Sequence, residues 1–359
     1  MDPFKIDKVN ITANSGIITT DASMAGGDTP GTEFAFYIFR NNERIHTEWY
    51  KLSNKFIYDT TGKPGCYHVQ VFAKNSDKLS QGNSSSIFLN PLEITTESFA
   101  SADQSAVAYS LKGNNWTIPA LYYPGENNAL YVLLPAAVNR KKSSIPAFNR
   151  WTWAKEGMFP GSTLCISDPT LELHSDLEIG WCLGDKDNCV TTELAEFVKR
   201  IAEVKGVPFE NIVFYGSSAG GFAALALSAR VEGSTAVAIN PQVDAMAYSV
   251  VGQVDLVAQT CFGMTKEDVN ERFKNRVDMK SAWSGNSKSK AFFVQNLEDG
   301  HHYKIHFKPM WDSLGGEELN DGINRLGHHT AWIYRHEGGH IPETKEMAKE
   351  IIDILANGY

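Results

Sequence analysis

The first quarter of the chain consists of short apolar runs separated by turn-forming clusters. Apolar residues crowd or alternate over 34–39 and 66–72, and clusters rich in Gly, Thr and Pro, such as 25–28 and 61–65, separate the runs. The 3.6-residue period of a helix does not appear there over any useful length. Short strands divided by turns at regular spacing are typical of a small antiparallel sandwich. The pattern therefore predicts an all-β domain over residues 1–90.

From Pro91 the pattern changes to buried strands that alternate with helices, which predicts a domain boundary at Asn90-Pro91. The predicted strands lie near 93–96, 116–121, 129–134, 162–167, 211–215, 236–240, 290–295 and 331–335. The predicted helices lie at 190–204, 221–227, near 304–313 and from Pro342 onward. This alternation predicts an α/β domain over 91–359, with a mostly parallel sheet covered by helices on both faces.

Composition narrows the class of partner. The chain has 359 residues and a net charge of −9, and this length favours two domains. The acidic balance and the lack of a basic stripe argue against a nucleic-acid partner. No apolar run approaches the ~18 residues of a membrane span, and the start lacks a signal-peptide pattern. We therefore expect no membrane partner and a cytoplasmic protein, or an exported one if a leader has been removed.

The cysteines indicate neither a disulfide framework nor a zinc site. Five are scattered along the chain: Cys66, Cys165, Cys182, Cys189 and Cys261. An odd count in a large, core-rich chain fits reduced thiols, although Cys182 and Cys189 could close a small loop in an exported protein. No Cys-x-x-Cys pair occurs, and we expect no metal and no cofactor.

The most informative motif is Gly-Ser-Ser-Ala-Gly at 216–220. It lies between an apolar run, 211–215, and a small-residue helical run, 221–227. A strand-to-helix turn this sharp holds its central serine at strained backbone angles, so the flanking residues must be nearly free of side chains. The motif resembles the nucleophile elbow of the α/β-hydrolases. It centres on Ser218, with Ser217 as the neighbouring candidate and an ordinary Gly/Ser-rich loop as the alternative interpretation.

The resemblance covers roughly residues 92–359 and implies a Ser-acid-His triad in that chain order, on loops at the carboxyl edge of the sheet. His340 follows the last predicted strand and precedes the last helix, so it is the expected base, with His336 as the alternative. Asp299 follows the strand near 290–295 and is the expected acid, with Glu298 as the alternative.

The same resemblance implies an oxyanion hole made of two backbone N–H groups. One donor is expected at Ala219, directly after the nucleophile. The other is expected after the strand near 129–134, where many family members carry His-Gly. This chain carries Pro135-Ala136 there, which leaves Ala136 and Ala137 as alternatives.

Substrate contacts are predicted from position alone. Asn240 and Gln242 follow the strand after the elbow helix, so their amides could orient a substrate or satisfy loop backbone. Trp151 lies in a ring-rich segment, 149–153, that could stack on a sugar or pack on the core. The insertion near 242–285 is either a cap over the site or an additional helix pair on the surface.

The expected activity is hydrolysis of carboxylic esters through a serine acyl-enzyme, on a small-molecule or glycan ester such as an acylated polysaccharide. Alternatives are an O-acetyl-type acyltransferase, a serine peptidase, and a non-catalytic binding or assembly protein with a vestigial site. Residues 37–40, 49–50 and 65–69 resemble immunoglobulin-like or fibronectin-like accessory modules of bacterial polysaccharide-related proteins. Taken together, the two resemblances imply an α/β-hydrolase domain preceded by a β-sandwich.

Overall fold

The computed structural model describes residues 4–357 apart from 28, 42, 90, 102–106, 141, 142, 144 and 287. The domain boundary predicted at Asn90 therefore falls outside the described residues. The backbone divides into two compact units. The first comprises Met1–Leu92, Val107–Tyr109 and Asn139–Pro146, and the second comprises Glu93–Ala106, Ser110–Val138 and Ala147–Tyr359.

The first unit is built from strands that form two antiparallel sheets around one core. Its strands are β1 (Ile6–Asn14), β2 (Ile17–Met24), β3 (Glu33–Arg40), β4 (Glu43–Lys51), β5 (Lys55–Asp59), β6 (Gly65–Asn75), β7 (Lys78–Asn83) and β8 (Ile87–Leu89). One sheet has the order β1-β2-β5, and the other has the order β4-β3-β6-β7, with β8 paired to β6. Alternate residues such as Phe36, Ile38, Val69 and Val71 point into the core and are almost fully buried, as the period of two requires.

The second unit contains a mixed sheet, apart from the strand residues Leu92 and Val107–Tyr109, which belong to the first unit. Its strands are β9 (Leu92–Ile94), β10 (Val107–Lys112), β11 (Thr117–Tyr123), β12 (Leu130–Leu133), β13 (Ser162–Ile166), β14 (Ile212–Ser217), β15 (Thr235–Ile239), β16 (Lys290–Asn296), β17 (Gly322–Leu326) and β18 (His329–Tyr334). The order is β17-β18-β16-β15-β14-β12-β13-β11-β10-β9.

The six strands from β13 to β18 in this order are parallel, whereas β11 and β17 pair antiparallel at the flanks. The central strands are buried along their length, which explains why they read as continuous apolar runs. The sequence did not indicate β17, because its half-buried residues alternate with exposed ones and include Asn and Arg. It also did not indicate β10.

The helices of the described residues are α1 (Trp151–Lys155), α2 (Val190–Lys205), α3 (Ala219–Ser228), α4 (Val251–Val257), α5 (Lys266–Arg272), α6 (Lys274–Val277), α7 (Met279–Ala282), α8 (Lys308–Ser313) and α9 (Lys345–Ala356). Short 3₁₀ turns lie at Ser98–Ser101, Pro169–Leu173, Phe209–Asn211 and Ala245–Ala247, and π-helical turns at Ala258–Phe262 and His302–Phe307. In the part of the chain that the structure describes, no helix combines the length and apolarity needed to cross a bilayer.

One helix prediction needs correction, and the insertion predicted near 242–285 is divided into short segments. The last helix begins at Lys345 rather than at Pro342, because the Thr344 hydroxyl accepts a hydrogen bond from the Met347 N–H and caps the helix there. The apolar stretch 244–262 does not form one helix. It divides into a 3₁₀ turn, α4 and a π-helical turn that ends at Gly263, whose φ of 66° is left-handed.

The turn between β14 and α3 has the strained geometry that the sequence predicts. Ser218 has φ 54° and ψ −118°, which lies outside the regions that L-residues ordinarily populate. A Cβ at Gly216 would lie 2.3 Å from the carbonyl carbon of Gly220, and a Cβ at Gly220 would lie 2.8 Å from the Leu134 carbonyl oxygen. Both positions therefore require glycine, because backbone atoms occupy the space of a side chain.

Gly216→Ala is expected to lower the free energy of unfolding by about 1–3 kcal/mol or more, since an added methyl must push backbone atoms apart. The matched control is Gly252→Ala in α4, where a Cβ meets no atom within 4 Å. That control should be neutral or stabilising by about 0.5–1 kcal/mol. Urea denaturation of both variants measures the difference, and equal free energies of unfolding would contradict the packing argument.

Candidate active site

Three loops at the carboxyl edge of the parallel strands bring Ser218, Asp299 and His340 together. Ser218 follows β14, Asp299 follows β16, and His340 follows β18. The Ser218 Oγ lies 3.1 Å from the His340 Nε2, and the His340 Nδ1 lies 2.5 Å from the Asp299 Oδ2. A hydroxyl, an imidazole and a carboxylate in this line can move a proton from the oxygen to the imidazole.

The Asp299 side chain is 5% exposed. Burial tends to raise the pKa of this carboxyl group, but hydrogen bonds from His302 and His340 outweigh it and hold the pKa of Asp299 well below its usual value. The carboxyl group is therefore ionised at neutral pH. The carboxylate next to the His340 Nδ1 holds that ring in one orientation.

The alternative acid and the alternative base lie elsewhere. Glu298 is exposed, and its carboxylate accepts a hydrogen bond from the Arg335 guanidinium at 3.2 Å. His336 is also exposed, and its Nδ1 accepts from the Gly338 N–H at 3.0 Å. The structure thus brings Asp299 and His340, and neither alternative, into hydrogen-bonded contact with each other.

The Ser217 side chain has a different environment from its neighbour. Its Oγ accepts a hydrogen bond from the Arg150 Nη2 at 2.7 Å, and the residue is 7% exposed. The imidazole of His340 lies beside Ser218 instead, the residue on which the motif is centred.

Both amides that follow β15 are buried. The Gln242 Oε1 accepts from the Trp181 indole N–H at 2.6 Å, and the Gln242 Nε2 donates to the Ser218 Oγ at 3.2 Å. The Asn240 Nδ2 donates to the Tyr334 hydroxyl at 3.0 Å and to the Ile341 carbonyl at 3.1 Å. Asn240 thus fixes the loop that carries His340, and Gln242 contacts the serine itself.

The candidate oxyanion donors differ in whether their backbone N–H groups already have a hydrogen-bond acceptor. Ala219 is the first residue of α3, so its N–H has no acceptor within the helix. The Ala136 N–H donates to the Asn149 Oδ1 at 3.3 Å. Within the described residues, no acceptor is found for the Ala137 N–H. Of the two alternatives after β12, Ala137 therefore has the more available N–H.

A pocket of about 500 Å³ opens beside the serine. Its lining residues are Ala136, Ala137, Asn149, Arg150, Trp153, Ser217, Ser218, Tyr248, His340, Ile341, Pro342 and Glu343. The lining residue from α1 is Trp153, and Trp151 lies outside this set. Asn240 and Gln242 are likewise outside it, and both are fully buried.

A buried ion pair forms one wall of this pocket, and no sequence motif marks it. The Arg150 guanidinium makes a two-point contact with the Glu343 carboxylate, including Nη2 to Oε2 at 2.8 Å. Their side chains are 7% and 0% exposed. Burial tends to lower the pKa of Arg150, but the Glu343 charge outweighs it and raises that pKa. Because the same Nη2 also donates to Ser217, the pair ties the loop before α9 to the elbow.

His302 is a second histidine that the sequence did not assign to the site. Its Nδ1 lies 3.0 Å from the Asp299 Oδ1, and its ring stacks on His340 at 3.8 Å between centroids and 9° between planes. Its position three residues after Asp299, in a helical turn, is the one signal that could have indicated this contact.

Asp299, His302 and His340 hold potential metal-ligand atoms within 4.8 Å of one another. Imidazole lone pairs lie in the ring plane, however, and the two planes are nearly parallel. Their lone pairs therefore run side by side and do not converge on one ion. The arrangement fits a hydrogen-bonded acid–base cluster better than a metal centre.

No known family profile matches the chain, and no curated protein is significantly similar to it. Solved structures do resemble it. A capsule O-acetyltransferase of Neisseria meningitidis serogroup A, in complex with caged gadolinium, is 14% identical over 70% of this chain and 96% of that chain, with a TM-score of 0.50. The dipeptidyl peptidase 4 of Porphyromonas gingivalis is 12% identical over 100% of this chain and 50% of that chain, also with a TM-score of 0.50.

What these proteins share with the chain is the fold. The likeness to the peptidase spans this whole chain, with its all-β region and its mixed sheet with helices, and half the length of that peptidase. At such identities the likeness carries no residue roles.

Removing one charge of the Arg150–Glu343 pair should be costly. Glu343→Gln or Arg150→Met is expected to lower the free energy of unfolding by about 3–5 kcal/mol, because the remaining charge stays buried without a partner. The double variant Arg150→Met/Glu343→Leu should recover most of this loss. Chemical denaturation measures all three variants.

The control for that series is Glu232→Gln, which breaks an ion pair with Lys288 whose side chains are 60% and 66% exposed. Its cost should stay below about 1 kcal/mol. A Glu343→Gln cost as small as that of Glu232→Gln would show that the buried pair does not stabilise the loop.

Proposed function

We propose that the chain is a serine hydrolase of the α/β-hydrolase type, with residues 1–90 as an accessory β-sandwich domain, and that it cleaves carboxylic esters. The observation that carries the proposal is the continuous contact from the Ser218 Oγ through His340 to the ionised Asp299. A serine hydroxyl is a poor nucleophile at neutral pH, and it needs a base and a group that orients the base. Both are within hydrogen-bonding distance.

In the proposed reaction the Ser218 Oγ attacks the ester carbonyl carbon, while the His340 Nε2 takes the hydroxyl proton. The imidazolium then donates this proton to the alcohol oxygen as the ester C–O bond breaks, which leaves the acyl group on Ser218. Water attacks the acyl-enzyme, with His340 again accepting the proton, and the carboxylic acid departs. Asp299 stays ionised throughout and stabilises the imidazolium.

The negative charge that develops on the carbonyl oxygen needs donors. We propose the Ala219 N–H, at the N-terminal end of α3, as one donor and Ala137 or Ala136 as the second donor. Each such donor contributes on the order of 10²–10³ in rate in other serine hydrolases.

The pocket favours an uncharged ester. Its one buried guanidinium is balanced by a carboxylate on the same wall, and the rest of the wall is formed largely by Ala, Trp, Tyr, Ile and Pro side chains. Trp153 lines the pocket, and an indole can pack on an acyl chain or on the apolar face of a sugar. We propose a small-molecule or glycan ester as the substrate class.

Acyl transfer is the second candidate, because the same acyl-enzyme can be released by an alcohol in place of water. The capsule O-acetyltransferase shares the fold, which gives this candidate a reason to be tested. Hydrolysis and transfer differ in whether an acceptor hydroxyl is bound next to the acyl-enzyme when water is excluded.

A fluorophosphonate probe should label the purified protein, and Ser218→Ala should abolish the labelling, because the phosphorus atom reacts with the activated oxygen. His340→Ala should lower the turnover of p-nitrophenyl esters by several orders of magnitude. The matched control is His336→Gln, which removes a histidine of the same loop and should leave turnover unchanged. Labelling that persists in Ser218→Ala, or a loss of turnover confined to His336→Gln, would refute the assignment.

Partitioning of the acyl-enzyme distinguishes the two candidates. With p-nitrophenyl acetate as donor, a hydrolase should release acetate at a rate that added glycans do not change. An acyltransferase should instead produce acetylated glycan, and total p-nitrophenol release should rise with acceptor concentration. Mass spectrometry of the glycan fraction and p-nitrophenol absorbance give both quantities in one experiment.

A further inference from the structure

Behind the proposed nucleophile lies a buried polar cluster that the Ser-His-Asp mechanism does not use. Gln242 is 0% exposed, Trp181 is 1% exposed and His302 is 4% exposed. Together with Ser218 and Asp299 they form an unbroken set of hydrogen-bonding contacts. Buried polar groups in such a set have few alternative partners, so their orientation is strongly constrained.

The direction of the Gln242 amide is settled by Trp181. An indole N–H can only donate, so the atom that lies 2.6 Å from it must be the Gln242 carbonyl oxygen. The amide nitrogen consequently faces the serine. Its two hydrogens point toward the Ser218 Oγ at 3.2 Å and the His302 Nε2 at 3.5 Å.

The same reasoning determines which nitrogen of the His302 ring carries the proton. Its Nε2 faces an amide N–H and must accept, so the ring carries its proton on Nδ1, where the Asp299 Oδ1 accepts it at 3.0 Å. The charged and titratable groups that face this ring are Asp299, His340, His301 and His306. Burial and the neighbouring histidines lower the pKa of His302, which keeps the ring neutral beside His340.

We propose that Gln242 and His302 close a hydrogen-bonded ring through Ser218, His340 and Asp299, in which both act as positioning residues for the nucleophile and its acid. This inference rests on the proposed function. Because the Ser218 Oγ accepts from Gln242, its own hydrogen is free to point at the His340 Nε2. Because His302 occupies Oδ1 of Asp299, the other carboxylate oxygen stays directed at His340.

The backbone around Trp181 supports this role. Trp181 and Cys182 have φ of 52° and 54°, two consecutive left-handed residues without glycine. The Cys182 N–H donates to the buried Asp168 Oδ2 at 2.9 Å, which holds the turn in place. Strain of this kind persists only where the surroundings fix it, and such sites cluster around functional groups. Here it sets the indole against Gln242.

Two substitutions of His302 separate hydrogen bonding from packing. His302→Phe keeps a ring to stack on His340 and loses both hydrogen bonds, whereas His302→Gln loses the stack and retains a donor and an acceptor. We expect His302→Phe to lower kcat for an ester by about 10–100-fold with KM unchanged, and His302→Gln to keep kcat within about threefold of the wild type. If His302→Gln lowered kcat more than His302→Phe, His302 would act by packing, and the proposed hydrogen-bonded ring would be overturned.

A double-mutant cycle tests the Trp181–Gln242 contact and remains informative if His302→Phe does not fold. Gln242→Met should lower kcat by about 10–100-fold, and Trp181→Phe, which removes the indole N–H and leaves a smaller buried ring, by about 3–10-fold. Because Trp181 acts through Gln242, Trp181→Phe should cost nothing further in the Gln242→Met background. If the two substitutions lowered kcat by independent factors that multiply in the double variant, Trp181 would not act through Gln242.

The wild type and Ser218→Ala distinguish failure of the ring from failure of the proposed function. If the wild type neither reacts with the fluorophosphonate probe nor turns over esters, the proposed function fails and the ring has no catalytic role. If the wild type does both through Ser218, while His302→Phe and Gln242→Met retain its kcat, the ring alone is overturned.

Discussion

The geometry of the site depends on the turn at Ser218. Ser218 has φ 54° at the junction of β14 and α3. A strained conformation of this kind persists only where the surrounding structure fixes the backbone. Gly216 and Gly220 let the two chain segments approach to distances that any side chain would block. All residues of α3 are buried, so the packing of the helix keeps the turn closed. The strained turn is thus stabilised by burial on either side of it.

Once the serine is fixed, parallel strand pairing decides what surrounds it. β14, β15, β16 and β18 run in the same direction, so the residues that follow each strand meet at one edge of the sheet. This brings together side chains that are far apart in sequence, such as Ser218 and His340, which are separated by 122 residues. The same edge of the sheet also contains a buried charge, because Asp299 lies there between two imidazoles.

Buried polar contacts then hold the loops that the sheet alone would leave free. Asn240 ties the His340 loop to β18, and the Arg150–Glu343 pair ties the start of the last helix to the elbow. Each contact uses groups that are expensive to bury and therefore strongly favours one arrangement of the loops. Proton transfer requires the donor and acceptor atoms to be positioned to within about 1 Å. A single arrangement of the loops therefore matters more to this site than additional stability.

The sequence by itself determined the local features. The strand, the turn glycines and the small-residue helix are contiguous, so their pattern indicated the elbow at 216–220. The order of Ser218, Asp299 and His340 along the chain was likewise legible, because each follows a run that reads as a strand. Tertiary structure decided which donors and acceptors meet. Trp181 and Gln242 are 61 residues apart, and Arg150 and Glu343 are 193 apart. Such pairs leave no period or spacing in the sequence, because the contact exists only after the sheet has brought distant loops to one edge.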